Sequence, residues 1–256
     1  MRTALIGSSG FVGGTLLAQT SFSDLYRSTN IEAIRGAGYG LLVCAGAPAA
    51  KWKANRDPDA DRANLERLID CLRTVEATEA LLISTIDVYP NPGGADEETP
   101  IDPERNTPYG RHRYYLEQFF VEHFPHCRRI RLPGLFGAGL RKNFLFDLLH
   151  NPQALPLTHH ASRFQFYDMS RLWDDVERVR AARLAVANFA TEPVAAGVVA
   201  ERCFGVGFEN ETKGPPVGYD MQTRHAAVWG VEGRYMMRSP EVLKRIAAFA
   251  RAERAG

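Results

Sequence analysis

The sequence predicts an α/β fold built on a doubly wound parallel sheet. Strand-length apolar runs alternate with helical stripes through the first half of the chain, the pattern of successive βα units. Two of these runs, Gly40-Leu41-Leu42-Val43-Cys44 and Ala80-Leu81-Leu82-Ile83-Ser84, are apolar without alternation, as strands covered on both faces require. The chain also opens on a strand, a glycine turn and a helix in direct succession, the context in which a glycine-rich motif carries meaning.

Thr3-Ala4-Leu5-Ile6 is the first strand, Gly7-Ser8-Ser9-Gly10-Phe11-Val12-Gly13 follows, and Thr15-Leu16-Leu17 reads as helix. In this Gly-x-x-Gly-x-x-Gly spacing Gly7 serves the tight turn, Gly10 lets the backbone approach a pyrophosphate, and Gly13 lets helix and strand pack closely. The helix start then offers free N–H groups and the positive end of its dipole to phosphates. Asp24-Leu25-Tyr26-Arg27 is a weaker second strand. An acid at its end would hold the ribose hydroxyls of NAD, and a basic residue would accommodate the extra phosphate of NADP. The residues there are Arg27, Ser28, Thr29 and Asn30, with no acid before Glu32, so the lean is to NADP over NAD.

The third strand, Gly40 to Cys44, ends in Ala45-Gly46-Ala47-Pro48, small residues against which a flat ligand can lie. Asp57-Pro58 is a cap and first-turn pair. Ala63, Leu65, Leu68, Ile69, Leu72 and Val75 give the helix after it an apolar stripe, with Asn64 near its start. Ala80 to Ser84 is the fourth strand, closed by Thr85-Ile86-Asp87-Val88-Tyr89-Pro90. A Pro/Gly/acid-rich loop of roughly twenty residues follows, a length that marks function or mobility. Thr107-Pro108-Tyr109 opens the next helix and sets Tyr109, Arg113 and Glu117 on one face.

Four motifs in order resemble the extended short-chain dehydrogenases/reductases, the NAD-dependent epimerase/dehydratase family. Gly7 to Gly13 is similar to the cofactor loop, Ser84-Thr85-Ile86-Asp87-Val88-Tyr89 to Ser-(Ser/Thr)-x-x-Val-Tyr, Tyr109 to Arg113 to Tyr-x-x-x-Lys, and Arg131-Leu132-Pro133-Gly134-Leu135-Phe136-Gly137 to Arg-x-x-Asn-Val-Tyr-Gly. The resemblance covers roughly residues 1–190 and implies a Rossmann fold with Thr85, Tyr109 and Arg113 as catalytic residues. It implies a cofactor held by Gly7, Ser9, Gly10, Phe11, Val12, Gly13, Arg27, Ser28, Ala45, Gly46, Ala47, Asn64, Ser84 and Pro133. Arg113 stands where the family has lysine, and its planar fork does not place charge as an ammonium does. Gly134 stands where the family has an asparagine that often contacts a nucleotide-sugar. Asn143-Phe144 resembles the Asn-Phe that follows this motif in sugar-nucleotide reductases, which makes both residues substrate candidates.

Arg163-Phe164-Gln165-Phe166-Tyr167-Asp168 alternates like a sixth strand, Ser170 to Val179 is helical, and Ser239-Pro240-Glu241 starts a last helix. The expected organisation is a dinucleotide-binding domain of residues 1–135 plus about 163–192. A small, sequence-discontinuous substrate lobe would comprise about 136–162 plus 193–256.

Hydride transfer between a nicotinamide and a C–OH/C=O pair needs a proton moved at the oxygen. A phenol of pKa ~10 does this near neutrality only if that value is lowered. Arg113, one turn from Tyr109, and the nicotinamide's own positive charge are expected to lower it, and Thr85 to hydrogen-bond the same oxygen. Asp87 reads as a solvated or capping carboxylate, with a dehydratase-like acid/base role as the alternative. The leading expectation is an NAD(P)-dependent oxidoreductase on a small carbonyl or hydroxyl, sugar or nucleotide-sugar substrate. A nucleotide-sugar epimerase or dehydratase and a non-catalytic NADP(H)-sensing protein are the alternatives.

At 256 residues, 45% hydrophobic and 24% charged, the chain fits one large α/β domain with a small appended lobe. A net charge of +1 gives no electrostatic case for nucleic acid or anionic membrane. No apolar run reaches ~18 residues, and no signal segment precedes the first strand. Four cysteines without CxxC spacing suit buried thiols in a reducing cytoplasm. His123-Phe124-Pro125-His126-Cys127 has no matching third and fourth ligand, so no metal is expected. A small-molecule substrate is the expected partner, with a homodimer as the candidate assembly.

Overall fold

The structure, a computed structural model, describes residues 1–255 and divides into two compact units. The first comprises residues 1–90, 99–131 and 172–187, the second residues 91–98, 132–171 and 188–256. Residues 91–98, 132–135, 163–171 and 188–192, grouped with the first unit from the sequence, fall in the second by this division.

The elements run β1 (Thr3–Ile6), α1 (Phe11–Gln19), β2 (Asp24–Tyr26), β3 (Gly38–Cys44), α2 (Lys51–Arg56), α3 (Pro58–Leu72), β4 (Glu76–Thr85), α4 (Pro108–His123) and β5 (Cys127–Leu132). They continue as β6 (Gly134–Phe136), α5 (Phe144–His150), β7 (Arg163–Phe164), β8 (Phe166–Asp168), α6 (Leu172–Ala181), β9 (Val186–Asn188), β10 (Val194–Ala195), α7 (Ala196–Phe204) and α8 (Ser239–Ala255). The central sheet has six parallel strands in the order β2-β1-β3-β4-β5-β9, the doubly wound arrangement the sequence predicts. Leu5 sits opposite Val43, and Val43 opposite Leu81. These uninterrupted apolar strands are covered by helices, and Ile6, Leu42, Leu65, Leu72, Leu82, Leu116 and Phe120 share one buried cluster.

The helix starts follow the sequence signals. The Asp57 carboxylate accepts from the Ala60 N–H at 3.1 Å before Pro58, and the Thr107 hydroxyl from the Gly110 N–H at 3.4 Å before Pro108. Where α4 lies against β4 and β5, a charged network is enclosed. Glu117, fully buried, accepts from the Ser84 hydroxyl at 2.6 Å and from Arg131 Nη2 at 2.6 Å and Nε at 2.9 Å. Arg131 Nη1 donates to the Tyr89 hydroxyl at 2.5 Å. Burial alone would lower the Arg131 pKa, but Glu117 and Tyr89 outweigh it and raise the value, so the guanidinium stays charged.

In the second unit β6 pairs parallel with β8, and β7 antiparallel with β10. The single sixth strand expected over 163–168 is therefore two short strands, and β9 takes the sixth place in the sheet. Gln165 is the reason. It is buried between them, its amide donating to the Thr191 and Met221 carbonyls and accepting from the Met221 N–H, so the strand breaks around it. Gly134 lies against the Gln165 carbonyl, 2.8 Å from where a Cβ would stand, which excludes the asparagine of the family pattern. The loop after Tyr89 is anchored over residues 91–98. Gly94 N–H donates to the Asp220 carbonyl at 2.7 Å, and Glu97 accepts from Thr223, Arg224 and Asn188.

Arg131→Met leaves the enclosed Glu117 carboxylate with only the Ser84 hydroxyl and the more distant Arg129, and is expected to cost about 3 kcal/mol. The double change of Glu117 and Arg131 to Met should cost less than the sum of the single changes. Urea unfolding followed by circular dichroism checks both. A midpoint untouched by Arg131→Met would remove the network from any account of stability.

Candidate active site

The carboxyl end of β1 turns at Gly7, whose φ of 86° lies in the left-handed region and whose N–H donates to the Tyr26 carbonyl at 2.8 Å. A Cβ at Gly7 would run into the Ala45 carbonyl, and one at Gly13 into the Gly7 carbonyl. Both glycines are thus required by close backbone approach. Gly10 is different. It starts α1 in an ordinary extended conformation, and a Cβ there would stand 3.3 Å from the Gly7 carbonyl. No described side chain caps α1, and its first turn, which holds Phe11 and Val12, carries no acid. Its N–H groups are thus presented to an anion.

Beside this turn lies a cavity of about 190 Å³, lined by Gly7, Ser9, Arg27, Ser28, Gly46, Pro48, Asn64 and Arg67, among others. It sits between the ends of β1 and β3, where the chain order of the sheet reverses and α/β folds bind ligands. Ala45 prolongs the β1–β3 pairing through its N–H to the Ile6 carbonyl, and Ala47 packs against the core. The Arg27 backbone N–H is fixed by Asn30 Oδ1 at 2.7 Å. Arg67 is the addition that sequence reading missed. It stands three residues after Asn64 on α3, so helical spacing from that candidate could have found it.

The second cluster gathers at the end of β4. Thr85 Oγ1 accepts from the Asp87 N–H at 3.1 Å, which leaves its own O–H to donate elsewhere. Asp87 pairs with Lys51 of α2, Oδ1 to Nζ 2.7 Å, a partner absent from the sequence reading of Asp87 as a solvated or capping group. Asn106 Nδ2 donates to the Asp87 and Val88 carbonyls at 3.0 and 2.7 Å and so clamps this turn to the start of α4. Gly110 packs against the same turn so tightly that a Cβ would strike the Asp87 carbonyl and the Asn106 amide. The Tyr109 N–H donates to Asn55 Oδ1 at 3.0 Å.

Arg113 lies with its guanidinium carbon 4.5 Å from the Tyr109 ring centroid. It is 3% exposed and is held bidentately by Asp61, Nη1 to Oδ2 3.0 Å and Nη2 to Oδ1 2.9 Å, with Nη2 also donating to the Pro48 carbonyl at 2.6 Å. Arg113 Nε is buried with no partner among the described residues. His112 Nδ1 sits 2.8 Å from the same Asp61 oxygen. The fork of Arg113 goes to Asp61 of α3, whereas Glu117 binds Arg131. The Tyr109 pKa is raised, because burial outweighs the lowering by Arg113, with Asp87 adding to the rise and Lys51 opposing it.

Ser84, expected at the cofactor, gives its hydroxyl to Glu117 and belongs to the enclosed network. Pro133, Asn143 and Phe144 belong to the second unit. The Asn143 amide caps α5, accepting from the Leu145 and Phe146 N–H groups, and donates to the Leu135 carbonyl, so the substrate contact expected of it competes with a structural task. Phe144 is buried against Phe164 and Phe208. Among the described residues no three His, Cys, Asp or Glu side chains gather as a metal site, and no helix is long and apolar enough to cross a membrane.

No family model and no curated protein matches the sequence. Solved structures do match in fold. The dTDP-4-dehydrorhamnose reductase of Yersinia enterocolitica superposes with a TM-score of 0.72 at 12% identity, over 99% of this chain and 100% of that one. The reductase of the same name from Bacillus anthracis, in complex with NADP, gives 0.72 at 15% identity, over 97% and 98%. A UDP-galactose 4-epimerase gives 0.69 at 16% identity, over 99% of both chains. The chain therefore has the Rossmann-type fold of these reductases and epimerases along its full length.

Asp61→Asn leaves Arg113 buried beside a neutral amide and is expected to cost about 3 kcal/mol at neutral pH. Burial alone would raise the Asp61 pKa, but Arg113 and His112 outweigh it and hold the carboxyl below its ordinary value. The stability it contributes is then complete above its unfolded pKa of ~3.9 and is lost as pH falls through the lower folded value. Wild type and variant should differ in urea midpoint from neutrality down to about pH 4 and converge below it. A difference that persists undiminished in acid would detach Asp61 from this role.

Proposed function

We propose that the chain is an NADP(H)-dependent oxidoreductase of the extended short-chain type that reduces a carbonyl on a sugar-like or nucleotide-sugar substrate. The observation that carries the reading is a shared edge of the sheet. The cavity with Arg27, Ser28 and Arg67 and the Thr85–Asp87 turn that docks the start of α4 both lie at the carboxyl ends of the parallel strands. The residues fit a dinucleotide. Gly7 and Gly13 close the turn, the uncapped start of α1 suits a pyrophosphate, and two arginines with Ser28 suit a 2′-phosphate. The fold likeness to reductases and epimerases, one in complex with NADP, supports the same reading.

Bound nicotinamide supplies hydride chemistry. Tyr109 then moves a proton at the substrate oxygen, and Thr85 orients that oxygen by hydrogen bonding. With its pKa raised, Tyr109 is a phenol at neutral pH. In the reductive direction that phenol gives its proton to the carbonyl oxygen, and Arg113 and Lys51 oppose the rise in pKa that burial imposes on it. Arg113 holds charge beneath the ring, and its bond to Asp61 fixes Tyr109 in place. The sensing alternative draws on the same ion pair, since Asp61 offsets the charge that would activate the phenol.

NADPH is expected to bind about tenfold tighter than NADH or more, and Arg27→Ala and Arg67→Ala each to narrow that gap, as fluorescence titration reads directly. Equal affinities would overturn the preference for NADP(H). Once a screen of sugar nucleotides and simple ketones finds a substrate, Tyr109→Phe should bind NADPH as wild type does and lose about 10²–10⁴ in kcat. Tight NADPH binding with no carbonyl turned over would favour the sensing alternative.

A further inference from the structure

The lysine of the Tyr-x-x-x-Lys pattern is missing from α4, and the arginine in its place is enclosed. Both terminal nitrogens of Arg113 are engaged by Asp61, and one of them by the Pro48 carbonyl as well. An ammonium does approach this site, from another element. Lys51 and Asn55 stand four residues apart on α2 and so share a face. That face meets both halves of the candidate site. Asn55 Oδ1 accepts from the Tyr109 N–H at 3.0 Å, and Lys51 Nζ lies 2.7 Å from Asp87 Oδ1. Asp87 in turn donates its N–H to Thr85 Oγ1 at 3.1 Å. The Lys51 side chain is 40% exposed where that of Arg113 is 3% exposed, and its ammonium is paired with Asp87 at the surface of the site.

We infer that Lys51 is a positioning residue of the Tyr109 site, carried on α2 and held by Asp87, and that it supplies the ammonium that α4 lacks. The inference rests on Tyr109 as the proton-transferring group. The charged groups around that phenol are Arg113 from its own helix, Asp87 from the turn after β4 and Lys51 from α2, while Asp61 of α3 neutralises Arg113. Burial pushes the Tyr109 pKa up and Arg113 pulls it down, while Asp87 adds to the rise and Lys51 to the lowering. Lys51 thereby limits how firmly Asp87 holds the proton on Tyr109. It also compensates the Asp87 carboxylate, whose own N–H donates to Thr85 Oγ1.

The test needs no substrate. Tyr109 is replaced by 3,5-difluorotyrosine, whose fluorines bring ionisation into the pH range where the full-length protein is folded, and the titration is read by ¹⁹F NMR. Lys51→Met should raise the pKa of that residue by about half a unit or more, and Lys51→Arg should restore it. Asp87→Asn should shift it the opposite way, downward. A pair that only ties α2 to the turn would move the value equally in both variants or in neither, and either result overturns the inference. So does Lys51→Met with an unchanged titration. NADPH affinity is titrated on the same proteins. If wild type fails to bind NADPH, the functional reading falls while the titration still decides whether Lys51 acts on Tyr109. If NADPH binds and Lys51→Met leaves the titration in place, only the role of Lys51 falls.

Discussion

The candidate active site depends on one buried ion pair, Asp61 to Arg113. Asp61 comes from the first turn of α3 and Arg113 from the second turn of α4, and the two helices meet at this point. Two charges taken out of water are tolerable only where each satisfies the other in good geometry, so the pair fixes a single register between the helices. Tyr109 stands one turn before Arg113 and inherits that register. The Pro48 carbonyl, bound to the same guanidinium, ties the loop after β3 to the same point.

A second charged cluster lies one turn further along α4, where Glu117 meets Arg131. The inner face of α4 thus carries two enclosed ionic groups among Leu116, Phe119 and Phe120. Such a helix gains less stability per residue than an apolar one would, because burying charge is costly. What it gains is position. Neither a slide by one residue nor a rotation about the axis can preserve both clusters, and a proton-transferring residue has to be held to within a fraction of an ångström.

Much of this was legible in the chain. Gly7 and Gly13 announce a close approach of backbone, and the approach is there. Asp57-Pro58 and Thr107-Pro108 mark helix starts because capping is a local matter, decided within four residues. The partners of the charged residues were not legible, because no local rule relates positions so far apart. Arg113 and Asp61 are 52 residues distant, Lys51 and Asp87 are 36. Helical spacing sets Arg113 and Glu117 on one face, and tertiary packing turned each to a different neighbour. The alternation over 163–168 was misleading for a related reason. Period two records which side chains face inward, and it does not record that Gln165 is needed by the carbonyls of Thr191 and Met221.

The sheet order also bears on how the chain is made. β5 ends at Leu132 and its neighbour β9 begins at Val186, so the segment between them emerges from the ribosome before the sheet can close. Throughout that interval β5 is an open edge, the kind of surface on which nascent chains pair wrongly with one another. Its sequence, Cys-Arg-Arg-Ile-Arg-Leu, guards against this with three arginines that no second copy of the strand would welcome. In the finished protein each has a task. Arg128 reaches Glu79 and the Leu184 carbonyl, Arg129 Nη1 lies 3.7 Å from Glu117 Oε2, and Arg131 closes on Glu117. The arginines paired in the mature sheet are thus also the residues that line this edge with like charge before β9 is in place.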